Sequence, residues 1–120
     1  MYLDGQFTRD DEDHLSGVIG HGNVFPDLRQ LSVYGKPGQE VKLLDGVFLA
    51  ARSEVLAEKE LQFDPRFDFH FYDMDFCRTA RERGLKLGTW PIALTHQSGG
   101  SPSQGPWLEA YKIYLAKWGS

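Results

Sequence analysis

The sequence predicts a small α/β domain. Short apolar runs typical of strands alternate with segments whose apolar residues recur at helical spacing. Thirteen glycines and six prolines in 120 residues favour short elements joined by many turns over a helix bundle. With 41% hydrophobic and 25% charged residues, the composition matches a single globular domain rather than a disordered chain.

Each expected element has a local signal in the sequence. Ser53 is a residue type that caps helices, Gly84 follows a basic last turn, and Pro106 suits the first turn of a helix. The aromatic stripe of the last helix repeats at helical spacing. We therefore expect a small mixed sheet with three helices, with strands near 43–51, 85–90 and 92–96 and helices near 54–60, 74–83 and 106–118.

The composition shifts near Lys42, which predicts a turn-rich segment over 1–41 that packs on a domain spanning 42–120. The net charge of −4 argues against broad nucleic-acid binding, which needs a basic surface. No apolar stretch approaches the roughly 20 residues of a membrane-spanning helix, and no signal-peptide pattern is present. Cys77 is the only cysteine, so no internal disulfide can form and a cytoplasmic location is expected.

Two aspartates and a histidine are the candidate chemical groups. Asp73 and Asp75 lie at the start of the second expected helix, and His96 ends an apolar strand before a glycine-rich loop over 98–103 that could close as a lid. A structural reading makes Asp73 an N-cap and Asp75 a helix-dipole partner. A catalytic reading makes Asp73 a general base, and a third uses both aspartates and His96 as metal ligands, with His70 in reserve.

Several motifs occur here in the order of one known family. They are Asp45-Gly46, Arg52, Phe63-Asp64-Pro65-Arg66-Phe67, Tyr72-Asp73-Met74-Asp75-Phe76-Cys77-Arg78, Gly84, Pro91 and His96. This order resembles the C-terminal, acceptor-side half of inverting family 2 glycosyltransferases of the GT-A fold. The likeness covers about half the chain, from Leu43 to Gly100. It implies a partial GT-A domain from a lineage that transfers a sugar from a sugar nucleotide to an acceptor hydroxyl.

The resemblance also implies roles for individual residues. Asp73 matches the aspartate that serves the family as general base on the acceptor hydroxyl. His96 matches a histidine that helps to hold the divalent metal, Mn²⁺ or Mg²⁺, on the diphosphate. Asp45 and Gly46 match the acceptor-side strand beside the sugar, and Asp75 and Arg78 match positions that organise the helix start. With Tyr72, these are the residues predicted to bind substrate.

Two departures from the family pattern limit what the resemblance implies. Tyr72 stands where the family usually has glutamate, which puts the acceptor contact in doubt. The nucleotide-binding half and its metal-binding Asp-x-Asp have no match before Lys42. We therefore expect the isolated chain to be inactive, to bind no metal, and either to pair with a missing nucleotide-binding half or to form a homodimer. The alternative is a non-catalytic module that binds a glycan as a dimer.

Overall fold

The described residues form an α/β fold with three helices. The computed structural model describes residues 17–21, 30–92, 94–96 and 104–120. Within them the chain runs β1 (Gly17–His21), β2 (Gln30–Gly35), β3 (Glu40–Val41), α1 (Ser53–Glu58), α2 (Tyr72–Glu82), β4 (Leu87–Gly88), β5 (Thr95–His96) and α3 (Gln104–Trp118). The helices expected near 54–60, 74–83 and 106–118 are therefore all present, each starting one or two residues earlier than expected.

In the described part of the chain, five short strands form two small sheets rather than one. The first sheet has the order β2-β1-β5 and is mixed, because β1 pairs antiparallel with β2 and parallel with β5. The second sheet is the antiparallel pair β3-β4, with Val41 opposite Leu87. The strands expected near 85–90 and 92–96 thus exist in shorter form, but they belong to different sheets.

Strand pairing crosses the boundary that the sequence predicts between residues 41 and 42. β1 and β2 share a sheet with β5, and β3 pairs with β4. Thr89 reinforces the second connection, since its Oγ1 accepts hydrogen bonds from the N–H groups of Gly38 and Gln39 at 3.1 and 3.3 Å. Its own N–H donates to the Gln39 carbonyl at 2.9 Å. The described strands before residue 42 therefore pair with strands of the 42–120 region.

The prediction of a strand over 43–51 is wrong. Residues 44–52 form a turn and extended loop, and only Leu43 makes an isolated bridge. The physical reason is that side chains of α2 take up the backbone groups that a neighbouring strand would have bonded. The Leu44 N–H donates to the Cys77 thiol at 3.2 Å, and the Gly46 N–H donates to Asp73 at 2.8 Å.

Helices α1 and α2 end in the same motif. After α2, Gly84 has a φ of 79° and its N–H donates to Arg81, while the Leu85 N–H reaches back to Ala80. This double hydrogen bond across a left-handed residue satisfies carbonyls that a helix end leaves open. After α1, Glu60 occupies the same left-handed position with a φ of 50°. At the other end of α1, Arg52 rather than Ser53 is the N-cap, without a side-chain cap bond.

The core lies between α2, its preceding loop and α3. Phe67, Phe71, Ala110 and Tyr114 form one buried cluster. Leu43 and Cys77 are fully buried where the loop before α1 meets α2. Among the described residues, no helix is long and apolar enough to cross a lipid bilayer. The loop predicted to act as a lid, over 98–103, lies outside the described residues.

Candidate functional site

The candidate site lies where the first turn of α2 meets the Asp45-Gly46 turn. Helix α2 begins after Phe71, which is its N-cap in a left-handed conformation, with φ 65° and ψ 0°. Tyr72 and Asp73 are then the first two residues of the helix. The structural reading of the sequence, in which Asp73 is the N-cap, does not match this geometry, because the cap is two residues earlier and makes no side-chain cap bond.

The Asp73 carboxylate is held by two backbone N–H groups. Its Oδ2 accepts from Gly46 at 2.8 Å, and its Oδ1 accepts from Met74 at 2.8 Å. A carboxylate offers about four lone-pair sites, so two positions remain for further donors. The residue as a whole is partly exposed.

Tyr72 and Gly46 fit together so closely that any side chain at position 46 would force Tyr72 or the turn to move. The Tyr72 hydroxyl donates to the Gly46 carbonyl at 3.1 Å. A Cβ at position 46 would overlap that hydroxyl and lie 2.5 Å from Cζ of the same ring. Both backbone groups of Gly46 are therefore bound by adjacent side chains of α2, and the Asp45-Gly46 turn is tied to the helix start.

The electrostatics of the site raise the pKa of the Asp73 carboxyl above that of an ordinary aspartate. Burial raises the pKa of the Asp73 carboxyl, and the negative charge of Asp45 raises it further, against the lowering effect of the backbone N–H groups of Gly46, Met74 and Asp73 itself. Burial also raises the pKa of the Tyr72 hydroxyl, with the charges of Asp73 and Asp45 adding to the effect. A carboxylate with a raised pKa is a stronger base than an ordinary aspartate, which is what general-base chemistry needs.

Asp75 points away from this site into the contact between α2 and α3. It is 1% exposed, and the Lys117 ammonium lies 2.8 and 3.0 Å from its two oxygens. The indole N–H of Trp118 donates to Oδ1 at 2.8 Å. Both oxygens of this carboxylate are thus bound by side chains of α3, although the sequence groups Asp75 with the substrate-binding residues.

Lys117 joins Asp75 to a second aspartate. Its ammonium also lies 2.9 Å from Oδ2 of Asp64, in the loop before α2. Asp64 in turn accepts three side-chain hydrogen bonds from Arg66, the shortest at 2.6 Å. The Arg66 bonds, followed by the Lys117 bond, hold the pKa of Asp64 well below its usual range. This network fixes the end of α3 against the start of α2.

Arg78 belongs to the same contact rather than to the Asp73 site. Its guanidinium lies 5.2 Å from the centre of the Tyr114 ring and 5.5 Å from that of Trp118. Cations above aromatic faces at this distance are attracted by the ring quadrupole. Of the residues predicted for the acceptor side, the structure therefore brings together Asp45, Gly46, Tyr72 and Asp73, and it places Asp75 and Arg78 against α3.

His96 ends β5 in the mixed sheet, where it is half-buried. The backbone register places His21 of β1 directly opposite it. Within the described part of the chain, no group of three or more His, Cys, Asp or Glu side chains could hold a metal ion. The described residues alone therefore do not fit a complete Mn²⁺ or Mg²⁺ site, including the arrangement of Asp73, Asp75 and His96 with His70 in reserve.

Sequence reasoning missed the partners of Asp75. Lys117 and Trp118 are 42 and 43 residues further along the chain, and no local spacing links them to Asp75. It also missed the left-handed conformation of Phe71, because bulky side chains rarely adopt it. The one sequence signal for these contacts is the aromatic stripe of α3. It indicates that one face of the helix packs against the protein, but it does not identify the residues on the other side.

Comparisons with known proteins give no relative for this chain: no protein-family profile, curated protein or solved structure matches it.

Proposed function

We propose that this chain is the acceptor-side part of an inverting glycosyltransferase with a GT-A fold, in which Asp73 is the general base. The observation that carries the proposal is the carboxylate of Asp73 at the first turn of α2. It is oriented by the Gly46 and Met74 N–H groups, has free acceptor positions, and has a raised pKa. The motif order from Asp45 to His96 supports the same function by resemblance.

The proposed chemistry needs one proton transfer from this chain. An acceptor hydroxyl donates a hydrogen bond to a free lone pair of Asp73, and the carboxylate takes its proton as the oxygen attacks the sugar carbon. Attack comes from the face opposite the leaving nucleoside diphosphate, so the configuration inverts. A metal, when bound, would neutralise the diphosphate; His96 is the only residue proposed to contact it, and the steps above do not depend on it.

Binding of an acceptor tests the proposal on the chain as it exists. The ¹⁵N-labelled protein is titrated with a panel of mono- and disaccharides while its amide resonances are followed. The expected result is that at least one saccharide shifts the Gly46 and Met74 amides at a Kd of about 1 mM, which is a weak binding free energy of about −4 kcal/mol. No response at these amides across the panel would contradict an acceptor site here.

The role of Asp73 is tested in a transfer assay with a nucleotide-binding half supplied by fusion or co-expression. Asp73→Asn keeps the side-chain shape and should lower the transfer rate by about 10²–10⁴-fold, the usual contribution of a general base. Asp75→Asn is the matched control from the same helix turn. Equal loss in both variants, after correction for folded protein, would show that Asp73 acts through structure alone.

A glycan-binding module without catalysis is the second candidate. The exposed rings of Trp90, Phe69 and Phe48, which are 77%, 65% and 53% exposed, favour it, because aromatic faces can pack against sugar rings. Under this reading Asp73→Asn leaves saccharide affinity unchanged, and saccharides perturb Trp90 fluorescence rather than the Gly46 amide. The two outcomes of the titration therefore separate the candidates.

A further inference from the structure

Phe71 has an unusual backbone conformation for its residue type. Its φ of 65° places it in the left-handed region, and Glu60 is the only other described residue besides glycine with a positive φ. For an L-residue this region is less favourable than the right-handed one by roughly 5- to 30-fold in population. Surrounding contacts must therefore hold Phe71 there.

The contacts that hold it come from α3. The Phe71 ring is 8% exposed. Its centroid lies 5.3 Å from Trp107, 5.7 Å from Tyr111 and 5.2 Å from Tyr114. Trp107 and Tyr111 also stack on each other, with centroids 5.1 Å apart and planes at 20°. Offset and tilted pairs at these distances are stabilising arrangements of aromatic rings.

The conformation of residue 71 sets the direction in which the chain enters α2. The Phe71 carbonyl accepts the N–H of Asp75 at 2.9 Å and so forms the first hydrogen bond of the helix. The next two residues, Tyr72 and Asp73, bind the carbonyl and the N–H of Gly46. A different φ at residue 71 would rotate this first turn and move both side chains off Gly46.

We propose that Phe71 is a positioning residue: aromatic packing from α3 holds its backbone in the left-handed region, and this turn directs the Asp73 carboxylate onto the Gly46 N–H. The importance of this for proton transfer rests on the proposed function. The positioning itself is measured without any substrate, so its failure is distinct from the failure of the saccharide or transfer tests.

The first step removes the packing from the α3 side with the double variant Trp107→Ala/Tyr111→Ala. Amide hydrogen exchange of the full chain is followed by NMR. Protection of the Gly46 and Asp75 amides should fall by about 10-fold, because the left-handed population is no longer held. The Leu85 amide, which closes the other end of α2, should change by less than about 2-fold.

The second step adds Phe71→Gly to the double variant. Glycine enters the left-handed region without a steric penalty, so Gly46 and Asp75 protection should recover by at least about 3-fold although a further side chain is lost. Phe69→Gly in the same background is the matched control. Phe69 is 65% exposed, its φ is not positive, and no recovery is expected. A ring that acted only by packing would make the triple variant less protected than the double.

The proposal is overturned if the double variant leaves Gly46 protection unchanged, or if Phe71→Gly lowers it further. Should the double variant not fold, Phe71→Gly and Phe71→Ala are compared in the wild-type background. Phe71→Gly removes more of the side chain but should retain the higher Gly46 protection. The reverse order would show that backbone conformation at residue 71 does not position Asp73.

Discussion

Asp73 and Asp75 lie two residues apart on α2, yet they serve two different regions of the molecule. Successive helical residues are rotated by about 100°, so positions i and i+2 face nearly opposite directions. Asp73 meets backbone N–H groups at a partly exposed turn, whereas Asp75 meets the ammonium of Lys117 and the indole of Trp118 in a buried contact. The spacing that suggests one site in the sequence therefore serves two regions in the fold.

The difference shows how the environment assigns roles to identical side chains. A buried carboxylate whose oxygens are already paired with a cation and an N–H group holds two elements together. A carboxylate held by backbone N–H groups and with a raised pKa suits the role in proton transfer proposed for Asp73. Three experiments compare the two regions, beginning with the largest expected effect on stability.

Asp75→Asn should weaken the fold most. The change removes the negative charge beside Lys117 and should lower the free energy of unfolding by about 3 kcal/mol, at the low end for breaking a buried ion pair because Asp64 still contacts Lys117. Urea denaturation followed by tryptophan fluorescence measures it. Glu109→Gln breaks the exposed pair with Lys112 and should change stability by less than about 0.5 kcal/mol. Similar losses in both variants would contradict a structural role for Asp75.

Gly46→Ala tests the Asp73 side. The added methyl would overlap the Tyr72 hydroxyl, so the turn must move and the unfolding free energy should fall by about 2 kcal/mol. Gly105→Ala in α3 is the control, since a Cβ there meets nothing within 4 Å and should stabilise the helix by about 0.5 kcal/mol. If Gly46→Ala proves neutral, Tyr72 does not pack against this glycine in solution.

The smallest effect is a pH dependence specific to Asp73. Because its pKa is raised in the folded state, the protonated form stabilises the fold below the unfolded pKa of about 3.8, and this contribution is lost as the pH rises through the folded-state value. Wild type should therefore be more stable relative to Asp73→Asn at pH 3 than at pH 7, measured by urea denaturation. The opposite trend would show that the backbone N–H groups outweigh burial.

A second pH effect on stability, with the opposite sign, should come from Asp64. The pKa of Asp64 is lowered by Arg66 and then by Lys117, so its contribution is present above pH 3.8 and is lost as the pH falls. Both wild type and Asp73→Asn carry Asp64 and should weaken together in acid. Subtracting the unfolding free energy of Asp73→Asn from that of wild type cancels the contribution of Asp64 and leaves the contribution of Asp73.

Local signals in the sequence were sufficient for the helices but not for the sheets. All three helices are present, and Gly84 follows the end of α2 as expected. The aromatic stripe of α3 is buried only in part, because Tyr114 is buried while Trp107 and Tyr111 are exposed. The strand expected over 43–51 is absent because Asp73 and Cys77, nearly 30 residues or more away, bind its backbone groups. Strand pairing depends on such distant partners, which the local pattern does not encode.

The candidate site could be predicted in part for the same reason. Asp45, Gly46, Tyr72 and Asp73 were grouped by motif order, and the structure brings them into contact around Gly46. The separation of Asp75 from them depends on Lys117 and Trp118, at the far end of the chain. Whether the grouped residues bind an acceptor stays a prediction.

The buried thiol of Cys77 gives the molecule a built-in reporter of opening. It is the only cysteine, is fully buried, and accepts the Leu44 N–H; burial raises its pKa to about 11. The reactive form of a thiol is the thiolate, so a thiol-specific reagent at neutral pH modifies almost only molecules in which the Leu44 loop has left α2. The alkylation rate of Cys77 therefore measures how often the Leu44 loop opens. A tenfold slower rate corresponds to a free energy of opening that is higher by about 1.4 kcal/mol.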